Sequence, residues 1–264
     1  MSELLTISPL LQALLSTLLT WGVTALGAAL VLFTRQTKPL LMDALLAFGA
    51  GVMLASSCFS LLIPSIESAA LQGQLPWLVA AAGFLAGGLL VLLADYLMRL
   101  RTPDYLAGAK GQRRCFLLAS SITLHNIPEG LAIGVSFGAL STGASSAAFT
   151  AAWMLAVGIA LQNFPEGAAV SLPLRREGMS HREAFFWGQL SGAVEPAAAL
   201  VGCLLAVYVQ SLLPFTLAFA AGAMIAVVIA ELIPESQRSH RSAWMTLAAM
   251  TGFAVMMILD VALG

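Results

Sequence analysis

Charge is scarce in this chain. Lysine and arginine number 12 and aspartate and glutamate 13 among 264 residues, so charged side chains make up 9% of it, against about 25% in a soluble domain. That scarcity excludes a globular surface solvated by water, and at a net charge of −1 no nucleic-acid partner is expected. Cysteine is rarer still. Cys58, Cys115 and Cys203 fall in three different apolar stretches with no CxxC spacing, which excludes a disulfide framework and a cysteine-built zinc site and leaves them as small packing residues.

What fills the chain instead is apolar. Hydrophobic residues make up 59% of it and the mean hydropathy is +0.92, so the sequence predicts an all-α integral membrane protein. A span needs about 20 mainly apolar residues, and eight stretches qualify: 8–33, 40–63, 76–98, 115–140, 147–174, 184–210, 212–234 and 242–263. The first begins Met1-Ser2-Glu3, without a basic n-region, and outruns a signal-peptide core, so it reads as a retained helix. Little chain is left for a soluble domain, and 1–264 reads as a single transmembrane domain, with helices 1–3 over 8–98, a loop over 99–114, helices 4–5 over 115–174 and helices 6–8 over 184–263.

The few basic residues are unevenly placed. Arg35 and Lys38 follow span 1; Arg99, Arg101, Lys110, Arg113 and Arg114 follow span 3; Arg175, Arg176 and Arg182 follow span 5; Arg238 and Arg241 follow span 7. The positive-inside rule puts these four loops in the cytoplasm and both termini outside, in a cell membrane crossed several times. A weak repeat pairs Ala50-Gly51-Val52-Met53-Leu54 and Leu62-Ile63-Pro64 in span 2 with Ala221-Gly222-Ala223-Met224-Ile225 and Leu232-Ile233-Pro234 in span 7. Those spans run in opposite directions, which predicts a 3+2+3 arrangement of inverted repeats about a central pair, with a site near the midplane.

The central pair carries the chemistry. His125-Asn126-Ile127-Pro128-Glu129-Gly130 in span 4 and Gln162-Asn163-Phe164-Pro165-Glu166-Gly167 in span 5 repeat one polar pattern. Helical residues four apart share a face, pairing His125 with Glu129 and Gln162 with Glu166; residues three apart pair Asn126 with Glu129 and Asn163 with Glu166. Two adjacent cation positions bridged by Glu129 and Glu166 follow. Each proline withholds a donor from the carbonyl four residues back, at Leu124 and Leu161, and such backbone at membrane depth must be buried in protein or line a wet cavity. Glutamates at the bilayer centre are penalised by several kcal/mol and mark ion or proton paths.

Other groups carry two readings. Glu195, before Pro196 in span 6, either completes the second position or is a structural group. Met53 offers a thioether to a soft metal or packs the core. Glu67, Glu231 and Glu235 line an entrance or exit or are solvated; Asp95 is a secondary ligand or pairs with Arg99. Gln189 is expected to hydrogen-bond within span 6, and His181 and His240 to lie in surface loops.

HNIPEG, QNFPEG and the Ser191-Gly192-Ala193-Val194-Glu195-Pro196 segment closely resemble the ZIP (Zrt-, Irt-like protein) metal transporters, particularly the bacterial and GufA-like branch. The resemblance implies eight helices with both termini outside and divalent metal moving toward the cytoplasm. One metal position then maps onto His125, Glu129, Gln162, Glu166 and Met53, and its neighbour onto Asn126, Asn163, Glu129, Glu166 and Glu195. Related members carry aspartate where Asn163 stands, some place a histidine at Ala230, and many have a histidine-rich tract that 99–114 lacks. The resemblance further implies zinc as substrate with iron, manganese, cobalt and cadmium beside it, no prosthetic group, homodimers, and a transport bundle sliding on a scaffold; Ala81-Ala82-Gly83 and Gly87-Gly88 offer either a smooth face for that sliding or dense lipid-embedded packing, which explains them equally well. The rival readings are an intramembrane metal-dependent hydrolase and a cation channel or metal sensor. HExxH is absent and His125 is the sole histidine inside a predicted span, whereas a catalytic zinc keeps two or three such ligands; the chain reads as no enzyme.

Overall fold

The computed structural model describes residues 8–33, 39–101, 110–142, 145–176, 178–237 and 242–263, excepting the side chains at 39, 98, 99, 101, 110–122, 125, 142 and 263. Regular structure among the described residues is helical throughout: α1 (Pro9–Phe33), α2 (Pro39–Ser56), α3 (Ile63–Leu71), α4 (Pro76–Arg101), α5 (Lys110–Ala139), α6 (Ser146–Arg176), α7 (His181–Leu190), α8 (Val194–Tyr208), α9 (Leu213–Val227), α10 (Ile233–Ser236) and α11 (Ser242–Leu263). A π turn over Ser57–Leu62 joins α2 to α3, a second over Val228–Leu232 joins α9 to α10, and a 3-10 turn over Ser191–Ala193 joins α7 to α8. The segments thus make eight spans. Seven are long and apolar enough to cross a membrane; α5, with 30 residues, is the eighth. The protein is an all-α integral membrane protein.

Differences from the expected spans have local causes. Span 2 runs on to Leu71 instead of ending at 63, because the chain passes Pro64 by widening one turn: the Ile63 N–H reaches the Cys58 carbonyl five residues back. A proline ring crowds the carbonyl four residues before it, and a π turn relieves that crowding. Span 7 repeats the device at Pro234, where the Ile233 N–H reaches the Val228 carbonyl. His181 opens α7 rather than lying in a loop, and Arg175 Nε donates to its Nε2 at 3.4 Å. Helix reaches Arg101 and resumes at Lys110 within the 99–114 segment; His240 and the Cys115 side chain lie outside the described residues. Cys58 is half-buried and Cys203 buried, and both are free.

The spans sort into two groups of four. Spans 1, 4, 5 and 6 (α1, α5, α6, α7–α8) pack together, as do spans 2, 3, 7 and 8 (α2–α3, α4, α9–α10, α11); α2 against α6 and α5 against α9 join the groups. The dominant pairs are α1 with α6, α5 with α8, α4 with α9 and α2 with α11. Exchanging span 1 with 6, 2 with 7, 3 with 8 and 4 with 5 maps this set onto itself, as an inverted repeat requires. Lipid tails are as apolar as leucine, so helices in a bilayer associate by close packing of small residues. Each dominant pair does so reciprocally. A Cβ on Gly27 would strike the Phe164 carbonyl and one on Gly167 that of Thr24; the same holds for Gly134 with Ala199 and Gly202 with Leu131, for Gly87 with Phe219 and Gly222 with Phe84, and for Gly51 with Ala249 and Gly252 with Phe48. Gly83, Gly87 and Gly88 therefore lock α4 onto α9 within one group. That favours the packing reading of these residues over the sliding one.

Candidate metal site

The two motifs meet at the centre of the first group. Pro128 and Pro165 both sit inside unbroken helices, and behind them α5 and α6 are pinned by an edge-on contact of Phe137 with Trp153, ring centroids 5.4 Å apart. Asn126, Glu129, Gln162, Asn163, Glu166 and Glu195 are all buried, none more than 2% exposed. His125 belongs to α5, four residues before Glu129, and its side chain lies outside the described residues.

Buried polar groups need partners, and here the partners are divided by type. The amide nitrogens are taken: Gln162 Nε2 donates to Glu129 Oε1 at 2.5 Å, Asn163 Nδ2 to Glu195 Oε1 at 2.8 Å, and Asn126 Nδ2 to the Ser191 carbonyl at 2.8 Å. The oxygens are not. Among the described residues, Asn126 Oδ1, Glu129 Oε2, Gln162 Oε1, Asn163 Oδ1 and both carboxylate oxygens of Glu166 are buried without a hydrogen-bond donor. Orphaned acceptors cost about 1–3 kcal/mol each, and six oxygens lacking donors make a surface suited to a cation. Carboxylate and amide oxygens accept a broad range of divalent ions, and weak, shared coordination lets an ion leave again. Among the described residues no three His, Cys, Asp or Glu side chains converge as a metal-binding group; the amides of Gln162 and Asn163 are bonded to the carboxylates of Glu129 and Glu195 instead.

The other candidates are dispersed. Met53 is fully buried on α2, and Gly49, one turn before it, faces the Cβ of Gln162, so span 2 abuts the site on this side. Glu231, in the second π turn, and Glu235 are half-buried near one end of span 7; Asp95 is half-buried on α4 and Glu67 exposed on α3. The Arg99 side chain lies outside the described residues. Gln189 Nε2 donates to the Phe186 carbonyl at 3.1 Å, within span 6 as expected.

Sequence reasoning passed over two residues. Thr20 on α1 is fully buried, donates its hydroxyl to Glu195 Oε2, and accepts Asn163 Nδ2 on its carbonyl at 3.4 Å. The signal was present: Ser16, Thr20 and Thr24 recur every fourth residue, a polar stripe on an apolar helix. Asp260 on α11 is the second. Ser60 Oγ, in the first π turn, donates to its Oδ1 at 2.7 Å, and its Oδ2 is buried without a donor; a carboxylate inside a span marks itself.

Comparison with known proteins shows the family. The family described as "ZIP Zinc transporter" matches residues 101–260. The chain is 41% identical to zinc transporter ZIP11 of Xenopus tropicalis, over 97% of this chain and 98% of that protein. It is 40% identical to zinc transporter ZIPB of Bordetella bronchiseptica, over 92% and 79%, and 38% identical to zinc transporter GufA of Myxococcus xanthus, over 95% and 98%. The chain belongs to the ZIP family of zinc transporters.

Proposed function

We propose that this protein carries zinc and related divalent cations, iron, manganese, cobalt and cadmium among them, across the cell membrane toward the cytoplasm through a midplane site on α5 and α6. Glu129 and Glu166 bridge two adjacent positions. His125, Gln162 and Met53 complete one; Asn126, Asn163 and Glu195 complete the other. The observation that carries this reading is the set of six donorless oxygens on Asn126, Glu129, Gln162, Asn163 and Glu166. Glu67, Asp95, Glu231 and Glu235 line the approaches. Access alternates as the group built on spans 1, 4, 5 and 6 moves against the other, in a single transporter domain that pairs as a homodimer. Both bridging carboxylates lie in the moving group, so the ion travels with them and parts from Met53 on span 2 as the groups separate. The basic loops are cytoplasmic by the positive-inside rule, and movement toward them is what the family resemblance implies.

Zinc uptake into proteoliposomes tests the proposal, with Glu129→Ala and Glu166→Ala reconstituted at equal density beside the wild type. Loss of uptake in both variants is expected. Wild-type protein that binds zinc yet moves none would sink the reading.

A further inference from the structure

We infer that the second cation position is closed by a latch on span 1, and that Thr20 sets how readily it fills. The inference rests on the two-position reading above and assigns the positions an order.

The buried side chains of the site differ in what they have left to offer. Among the described residues, Glu129 Oε2, Gln162 Oε1 and both oxygens of Glu166 have no donor, and at the second position Asn126 Oδ1 and Asn163 Oδ1 have none either. Glu195 has no such oxygen. Its Oε1 accepts Asn163 Nδ2 at 2.8 Å and its Oε2 accepts the Thr20 hydroxyl. A cation approaching Glu195 competes with two donors already in place, while one approaching Glu129 Oε2 and the two Glu166 oxygens meets acceptors with nothing to give up. Hydrogen bonds to charged groups are the strong ones in proteins, so the competition favours the Gln162 side first.

Both donors depend on this chain's own residues. An asparagine at 163 supplies an N–H that an aspartate could not, and an aspartate there would repel Glu195 instead of holding it. Span 1 contributes twice: the Thr20 hydroxyl holds Glu195, and its carbonyl takes Asn163 Nδ2 at 3.4 Å. Thr20, Asn163 and Glu195 are all fully buried, so water does not offer the carboxylate a substitute donor. Thr20 is thus a positioning residue for the second position, acting from a helix that bears none of the motif side chains.

Calorimetric zinc titration of the purified protein, with bound metal counted by elemental analysis, tests the latch. Wild type is expected to take one zinc tightly and a second more weakly. Thr20→Val leaves the first affinity unchanged and tightens the second by roughly tenfold, the worth of one hydrogen bond to a charged group; Thr20→Ser, which keeps the hydroxyl, matches wild type. A folded Thr20→Val protein whose second affinity is unchanged or weaker overturns the latch. Where that variant does not fold, Asn163→Asp removes the other donor, and a second zinc held no tighter than in wild type overturns it equally. One zinc per chain at saturation in every variant would instead remove the two-position reading on which the latch rests.

Discussion

Gln162 on α6 donates its side-chain N–H to Glu129 Oε1 on α5 across 2.5 Å, and both residues are fully buried. The bond fixes which way each side chain turns: with the amide nitrogen spent on Glu129, Gln162 Oε1 and Glu129 Oε2 are left as acceptors. Gln162→Ala removes one of those oxygens and the donor that orients the carboxylate. Zinc affinity is expected to fall by about ten- to hundredfold, as for other groups that orient metal ligands, with the chain still folded. Calorimetry on the purified variant reads this directly.

Gln162→Glu keeps the shape and reverses the chemistry. A third carboxylate beside Glu129 and Glu166 repels both when no cation is present, so the ion-free variant melts below wild type. Zinc binds only the folded chain and raises its melting temperature. The rise produced by saturating zinc is therefore larger in Gln162→Glu than in wild type, measured in the same detergent.

Gly167→Ala and Gly22→Ala separate packing from propensity. A Cβ at Gly167 overlaps the Thr24 carbonyl, while one at Gly22 meets nothing within 4 Å. The first forces α1 and α6 apart, at a cost of about 1–3 kcal/mol; the second is neutral or gains up to about 1 kcal/mol from helix propensity. Thermal unfolding of the two variants should move in opposite directions or leave Gly22→Ala unmoved. Equal losses would contradict the close approach.

Pro165→Ala restores an N–H opposite the Leu161 carbonyl. The substitution is expected to raise the melting temperature, since proline inside a helix costs roughly 3 kcal/mol, and to lower zinc uptake, since that carbonyl is no longer spare near the site. Melting curves and liposome uptake on one preparation check both halves of the claim.

Ser60→Ala removes the donor to Asp260 Oδ1, leaving a half-buried carboxylate in span 8 without it. A loss of about 1–3 kcal/mol in stability is expected. Asp260→Asn retains an acceptor for Ser60 and should lose less, and a larger loss in Asp260→Asn than in Ser60→Ala would show that the carboxylate has a further partner.

Much of this was legible from residue type. Glu129, Glu166 and Glu195 stand out because an apolar solvent makes a carboxylate conspicuous, and the spans stand out for the same reason. The pairing of span 2 with span 7 was readable from Met53 and Met224, although the match also reaches Phe48 and Phe219, which touch Gly252 and Gly87 in the two equivalent pairs. Thr20 was overlooked because a threonine in a bilayer can satisfy its hydroxyl on its own helix, and here the Thr17 carbonyl is within reach at 3.1 Å; only tertiary packing reveals that Glu195 competes for that one proton. The small residues of α4 carried two readings for a related reason. Glycine and alanine announce that something comes close, and composition does not say which helix it is.

The two π turns have a consequence for angle. In an α-helix one added residue turns all that follows by roughly 100°, so Ser57–Leu62 and Val228–Leu232 set the azimuth of α3 and α10 independently of α2 and α9. Gly49 addresses the ion site above the first turn while Ser65 Oγ, beyond it, meets the Pro214 carbonyl at 2.6 Å. Deleting one residue from that turn would swing Ser65 away from α9 and leave Gly49 where it stands, so the loading face and the outer seam of span 2 can be retuned separately.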